Sequence, residues 1–206
     1  MTMPFLTDDD RQRIESAIAE AERRTSGELV AVVAQSAGDY RYVPLLWPAL
    51  VALLLPAILL TIEPGMSAWT LYLVQATAFL VLALLAQLPV RMALVPDWLK
   101  RRRASRLARE QFFERGLHLT RARMGVLIFV SVAEHYVEII ADEGIDALVP
   151  PGTWDKAVAD FIERVRAGRI AEGFLDMIEV IGARLAEHFP RAPDDRDELP
   201  NRLIEI

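Results

Sequence analysis

The sequence predicts an α/β protein, a small mixed sheet flanked by helices (an α/β/α sandwich), with a two-helix transmembrane hairpin inserted into it. Three observations carry this expectation. Short Val- and Ile-rich runs at Glu28–Gln35, Met124–Val132 and Tyr136–Ala141 have strand length and composition. Stretches with apolar residues at helical spacing lie before, between and after them. A long apolar block separates the first run from the other two. The chain has 206 residues, a formal charge of -6 and no cysteine, and its mean hydropathy is positive although 25% of its residues are charged. The apolar excess must therefore be concentrated in that block. Without cysteine there is no disulfide framework, thiolate nucleophile or Cys-based zinc site. Metal chemistry would fall to carboxylates and to His118, His135 and His188.

The first element expected is a helix. Thr7 before Asp8-Asp9-Asp10 supplies a cap and acidic charge at a helix start, and Ile14, Ala17, Ile18 and Ala21 form its apolar stripe. The preceding MTMPFLTDDDRQR has no basic region followed by an apolar core, so it is not expected to act as a secretory signal. Thr25-Ser26-Gly27 ends the helix, and ELVAVVAQ from Glu28 reads as a strand buried on both faces.

Two spans follow, at about residues 43–62 and 67–90, each long enough to cross ~30 Å of hydrocarbon at ~1.5 Å per residue. Pro48 and Pro56 are each expected to cost a helix hydrogen bond and bend the first span. Trp47, Trp69, Tyr72 and Trp98 fall near span ends, where amphipathic rings favour the headgroup region. Beyond the second span come Arg91, Lys100-Arg101-Arg102-Arg103, Arg106 and Arg109, whereas the joining loop TIEPGMSA has one acid and no base. The positive-inside tendency then places both termini in the cytoplasm and makes the chain a two-pass protein of the cytoplasmic membrane. The basic run suits anionic lipid, and the rest of the soluble part is acidic, so the bilayer and not nucleic acid is the expected partner.

Trp98–Leu117 reads as the next helix, with Leu107, Gln111 and Phe112 inward. Two strands joined by the short turn Ala133-Glu134-His135 make an antiparallel hairpin. Amphipathic helices are expected at Thr153–Ala167 and Arg169–Phe189, and the tail PRAPDDRDELPNRLIEI as irregular chain. Residues 1–42 and 98–206 then form one split cytoplasmic domain, and residues 43–97 the transmembrane hairpin.

The running order FFERGLHLTRARMGVLIFVSVAEHYVEIIADEGI, Trp154, AEGF and LAEHFP, preceded by SGELVAVVAQ, resembles the TPM-domain family, here in a membrane-inserted form. The resemblance covers roughly Thr7 to Tyr42 and Ala104 to Leu203. It implies an α/β/α sandwich, and for some relatives acid phosphatase activity or calcium binding. The soluble members lack the two spans found here after the first strand.

Chain direction constrains the acids. The first strand leads into a span, and the helix from Trp98 climbs away from the bilayer by ~28 Å. Glu28–Gln35 and Met124–Val132 are therefore expected to be parallel, with Asp39, Glu134 and His135 near the membrane and Asp142, Glu143 and Asp146 at the distal rim. Glu28 should enter that rim, with Asp142 pairing near Val126 and Arg121 and Arg123 in reach. One reading of ADEGI is a turn in which Asp142 accepts hydrogen bonds from the turn or pairs with Arg123, and Gly144 takes positive φ. The other is a divalent-cation site, Ca²⁺ or another hard ion, made by Glu28, Asp142, Glu143 and Asp146. No catalytic set is identifiable: Asp-x-Asp is absent, Ser131 lacks a Gly-x-Ser-x-Gly elbow, and Glu134-His135 reads as a solvated turn. The expected role is a membrane-tethered interaction or accessory module with a protein partner at its cytoplasmic domain. The alternative is a phosphate-ester hydrolase. A transport component is disfavoured because Gln75 is the main polar group within the spans.

Overall fold

The computed structural model describes residues 5–40, 42–87, 89–120, 123–192 and 202–206. Two compact units are present, Met1–Ala37 with Arg103–Ile206, and Gly38–Arg102.

In the first unit, helix α1 (Asp8–Glu22) starts with a capping box, the Thr7 hydroxyl accepting from Asp10 N and the Asp10 carboxylate accepting from Thr7 N. Strand β1 (Leu29–Ala34) pairs in parallel with β2 (Val126–Ser131), Leu29 facing Val126 and Ala34 facing Ser131. Strand β3 (Tyr136–Ala141) pairs antiparallel with β2, Ala141 facing Val126. The expected strand directions thus hold, and Asp142 falls next to Val126, opposite Gly125. The tail does not stay irregular throughout. Residues 193–201 lie outside the described residues, but Leu203–Glu205 form β4, a parallel edge strand on β1, giving the order β3-β2-β1-β4. Leu203 and Ile204 supply apolar side chains to the two faces of the sheet, and Arg11 clamps Glu205 through two hydrogen bonds of 2.8 and 2.9 Å. Those long-range contacts carry no local periodicity.

Strand alternation sends Leu29, Ala31, Val33, Val126, Ile128 and Val130 to one face, against α1, α6 (Thr153–Arg166) and α7 (Ile170–His188). Val30, Val32, Leu127 and Phe129 face the other way, against Ala104, Ala108 and Phe112 of α4 (Asp97–Glu114). Helices therefore cover both faces, and the central strands are buried throughout. Phe161 and Phe174 meet edge to face at 5.0 Å, joining α6 to α7 at the centre of the first layer.

The second unit carries α2 (Leu46–Ile62) and α3 (Ala68–Leu85), packed on each other. With the 3-10 turn before α2, the apolar stretches run 20 residues (Val43–Ile62) and 18 residues (Ala68–Leu85), long and apolar enough to cross a membrane. Pro48 occupies the first turn of α2, where an N–H has no intrahelical partner, so only Pro56 removes a hydrogen bond from the helix interior. The second stretch is shorter than the expected 67–90, because Pro89 disfavours helical backbone before it and a 3-10 segment, Pro89–Leu94, follows. Trp47 donates from Nε1 to the Leu94 carbonyl at 2.9 Å, and Trp69 stacks on Tyr72 at 5.7 Å.

Candidate functional site

Three buried carboxylates collect where β1 and β2 begin and β3 ends: Glu22, Glu28 and Asp142, with 5%, 6% and 9% exposure. Backbone pairing sets two of them. Val126 N donates to Glu28 O and Asp142 N donates to Gly125 O, so Glu28 and Asp142 flank Gly125 at one end of the sheet. Their backbones are two strand spacings apart, about 9.6 Å. Gly125 has no room for a side chain: a Cβ there would lie 2.4 Å from the Leu117 carbonyl oxygen. Glu22 reaches the same end from α1, its Oε1 accepting from Leu29 N at 3.0 Å.

The remaining acids of ADEGI are engaged locally. Asp142 caps the short helix α5 (Glu143–Asp146), its Oδ1 accepting from Glu143 N at 2.8 Å. Glu143 pairs with Arg123, and Asp146 accepts from Trp154 Nε1 at 3.1 Å. Of the two arrangements expected for Asp142, it takes the hydrogen bond from the turn; Arg123 binds Glu143 instead, because capping turns Asp142 inward and leaves the 83%-exposed Glu143 side chain outside. Gly144 does not take positive φ, since it lies inside the helical turn; Arg123 at φ 54° is the left-handed residue of this corner. Arg121 lies outside the described residues. Asp142 Oδ2 is buried and has no hydrogen-bond partner among the described residues. Those residues contain no group of three or more His, Cys, Asp or Glu side chains arranged to hold a metal ion.

A second acidic centre occupies the opposite end of the sheet. Glu134 is 8% exposed, so it is not a solvated turn residue. Its Oε1 accepts from Ser36 Oγ at 3.1 Å and Ala37 N at 3.0 Å, and its Oε2 accepts from the fully buried Ser131 hydroxyl. One carboxylate thus ties the end of β1 to the β2–β3 turn. His135 is exposed at φ 50°, a backbone position that His tolerates better than most residues. His118 packs edge-on to Phe113 at 5.0 Å, and His188 sits in the last turn of α7. Asp39 belongs to the second unit.

Sequence reading missed Glu22 and the shell around Glu134. Glu22 falls four residues after the core Ile18, a charged residue at a core position of α1. Ser131 precedes Glu134 by three residues at the inward end of a strand. Both were visible as polar residues in apolar register.

Charged pairs also fasten the helices. Arg24 donates from both Nη atoms to Glu179 of α7, at 3.1 and 2.7 Å. The hydrogen bond and charge of Arg24 hold the Glu179 carboxyl below its usual range, and the Arg24 guanidinium is pushed up by the same bond.

Residues 86–184 match the family model for the TPM domain, a segment that begins immediately after α3. No curated protein matches the chain. Among solved structures, the chain is similar to the NMR structure of the BA42 protein from the psychrophilic bacterium Bizionia argentinensis sp. nov.. The alignment has 22% identity and a TM-score of 0.62, covering 100% of this chain and 99% of that one. At that identity the likeness is one of fold.

Proposed function

Starting from a chain that carries a TPM domain over residues 86–184, we propose a membrane-tethered α/β module that serves as an interaction or accessory domain at the cytoplasmic face. The observation that carries this reading is the exposure of the hairpin. Only 11% of the residues in the apolar window of Val43–Ile62 and none in Ala68–Leu85 are fully buried, so much apolar surface of both helices is left for another medium to cover. Hydrocarbon does so without leaving helical backbone groups unpaired. Arg101, Arg102, Arg106 and Arg109 are exposed on α4 and complement anionic headgroups, which supports a cytoplasmic placement of that helix.

Single-cysteine labelling tests the topology cleanly because the chain has no cysteine of its own. In intact cells, Gly65→Cys in the joining loop should react with a membrane-impermeant maleimide, whereas Glu20→Cys and Asp160→Cys should react only after permeabilisation. Labelling of residue 20 or 160 in intact cells would refute the orientation.

A second reading places a divalent cation, calcium in the first instance, at the rim of Glu28 and Asp142, and a phosphate-ester hydrolase would draw on the same rim. The buried Asp142 Oδ2 without a hydrogen-bond partner favours it, since a buried carboxylate oxygen is costly when unpaired. Calcium binding that survives in Asp142→Asn, or no binding at all, removes this reading.

A further inference from the structure

Resting on the membrane reading above, we propose that the hairpin pairs with a second copy of itself across a two-fold axis, with the two Gln75 side chains in mutual contact. Gln75 is half-buried on the side of α3 that packs against α2. It lines an open groove of about 390 Å³ with Ala49, Ala52 and Leu53 of α2 and Tyr72, Ala76 and Phe79 of α3. Counted along the helix, it lies about 10 Å from the Ala68 end and about 15 Å from the Leu85 end, inside the hydrocarbon of a ~30 Å core.

An amide carries two donor hydrogens and an acceptor oxygen. The hydrogen-bond contacts of the described residues include none for Gln75. The hairpin can meet part of this need. Pro56 has no N–H to offer the Ala52 carbonyl, so Ala52, which lines the same groove, carries a carbonyl without its helical donor. The other side-chain donor of the groove is the Tyr72 hydroxyl, whose ring stacks on Trp69; among the described residues it makes no hydrogen bond to the Gln75 oxygen. The groove wall on α2 is alanine and leucine, the other backbone N–H groups of α2 are helix-bonded, and Trp47 Nε1 is committed to Leu94. Water is absent at that depth.

A second Gln75 closes the account, because the amide is self-complementary. Each oxygen accepts an N–H from the other copy, and each remaining N–H is left for the Ala52 carbonyl of its own groove. A two-fold axis along the membrane normal brings two copies of the same topology together at the same depth, which is the requirement for an isologous contact. The alanines leave space for close helix approach, and interhelical amide contacts are a recognised source of association in lipid.

The experiment uses the full-length protein in native membranes, with one cysteine introduced into the groove, Ala76→Cys or independently Ala49→Cys. Leu80→Cys, on an exposed face of α3 at 66% exposure, is the control. Oxidation should give disulfide-linked dimer from the groove positions in clear excess over Leu80→Cys. Adding Gln75→Leu should lower that yield by about three- to twentyfold, the range for an interhelical polar contact in a bilayer. Equal cross-linking from both faces, or a groove cross-link indifferent to Gln75→Leu as expected for a lipid chain in the groove, overturns the inference. Alkaline carbonate washing of the same membranes separates the two readings. Protein retained without cross-link refutes the pairing alone, and protein washed out refutes the anchor and the pairing with it.

Discussion

Asp142 performs two tasks with its two oxygens. Oδ1 caps α5, and Oδ2 is sealed beneath the rim without a hydrogen-bond partner among the described residues. Asparagine keeps the capping oxygen and removes the buried charge, so Asp142→Asn should change stability by no more than about 0.5 kcal/mol without added metal. Asp142→Ala loses the cap and should cost about 1 kcal/mol. Calcium titration followed by thermal unfolding reads the remaining question: if the rim binds the ion, wild-type Tm rises with calcium and the rise is absent in Asp142→Asn. A rise of equal size in both proteins would place the ion elsewhere. Glu134 makes the contrasting case, a buried carboxylate whose oxygens accept three hydrogen bonds. Its place is explained by sheet architecture alone.

Helix α1 is fastened to α7 by close packing and by one forked ion pair. A Cβ on Gly182 would come within 2.8 Å of the Ala21 Cβ, so glycine sets the approach of the two helices. The Arg24–Glu179 pair lies at the rim of that contact, with side chains 39% and 66% exposed, and such a pair is screened by solvent. Its pH dependence has a definite sign. Glu179 is depressed in the folded state by Arg24, so the stabilisation is present above the unfolded glutamate value of about 4.3 and is lost as pH falls through the lower folded value. Wild type should therefore be slightly more stable than Glu179→Gln at pH 6 to 7, with the gap closing below about pH 4. A gap that stayed constant from pH 6 to pH 3 would show that the pair does not titrate with the fold. Element β4 depends on similar fastening, Arg11 to Glu205 and Leu203 N to Glu15, together with Ile206 bonding Val33 and Gln35 through its backbone.

Across the whole molecule, the hairpin interrupts the chain between β1 and α4 without interrupting the sheet. Residues 35–125 intervene between two strands that still pair along their full lengths. The physical reason is that loop closure grows only slowly in cost with length, and a hairpin that folds on its own contacts shortens the effective loop. The apolar interior on both faces of the sheet belongs to the α/β unit, and the division falls within α4. Replacing residues 41–96 with a flexible Gly/Ser linker should release a water-soluble α/β domain that unfolds cooperatively. A product that stays in the membrane fraction, or lacks a cooperative transition, would show that the α/β unit needs the hairpin.

Periodicity alone determined most of the architecture. Apolar residues at spacing three and four marked α1, α6 and α7, unbroken apolar runs marked the buried strands, and two long apolar stretches marked the hairpin. These signals are local, because each reports which face of one element avoids water. Chain direction also put Glu28 and Asp142 at one end of the sheet. Tertiary structure decided the chemistry of that end. Whether Arg123 met Asp142 or Glu143, whether Glu134 was solvated or shelled by Ser36 and Ser131, and whether Leu203–Glu205 became a strand all depend on partners brought from distant elements. A carboxylate in the sequence has no fixed environment; burial and the donors that reach it are properties of the assembled fold.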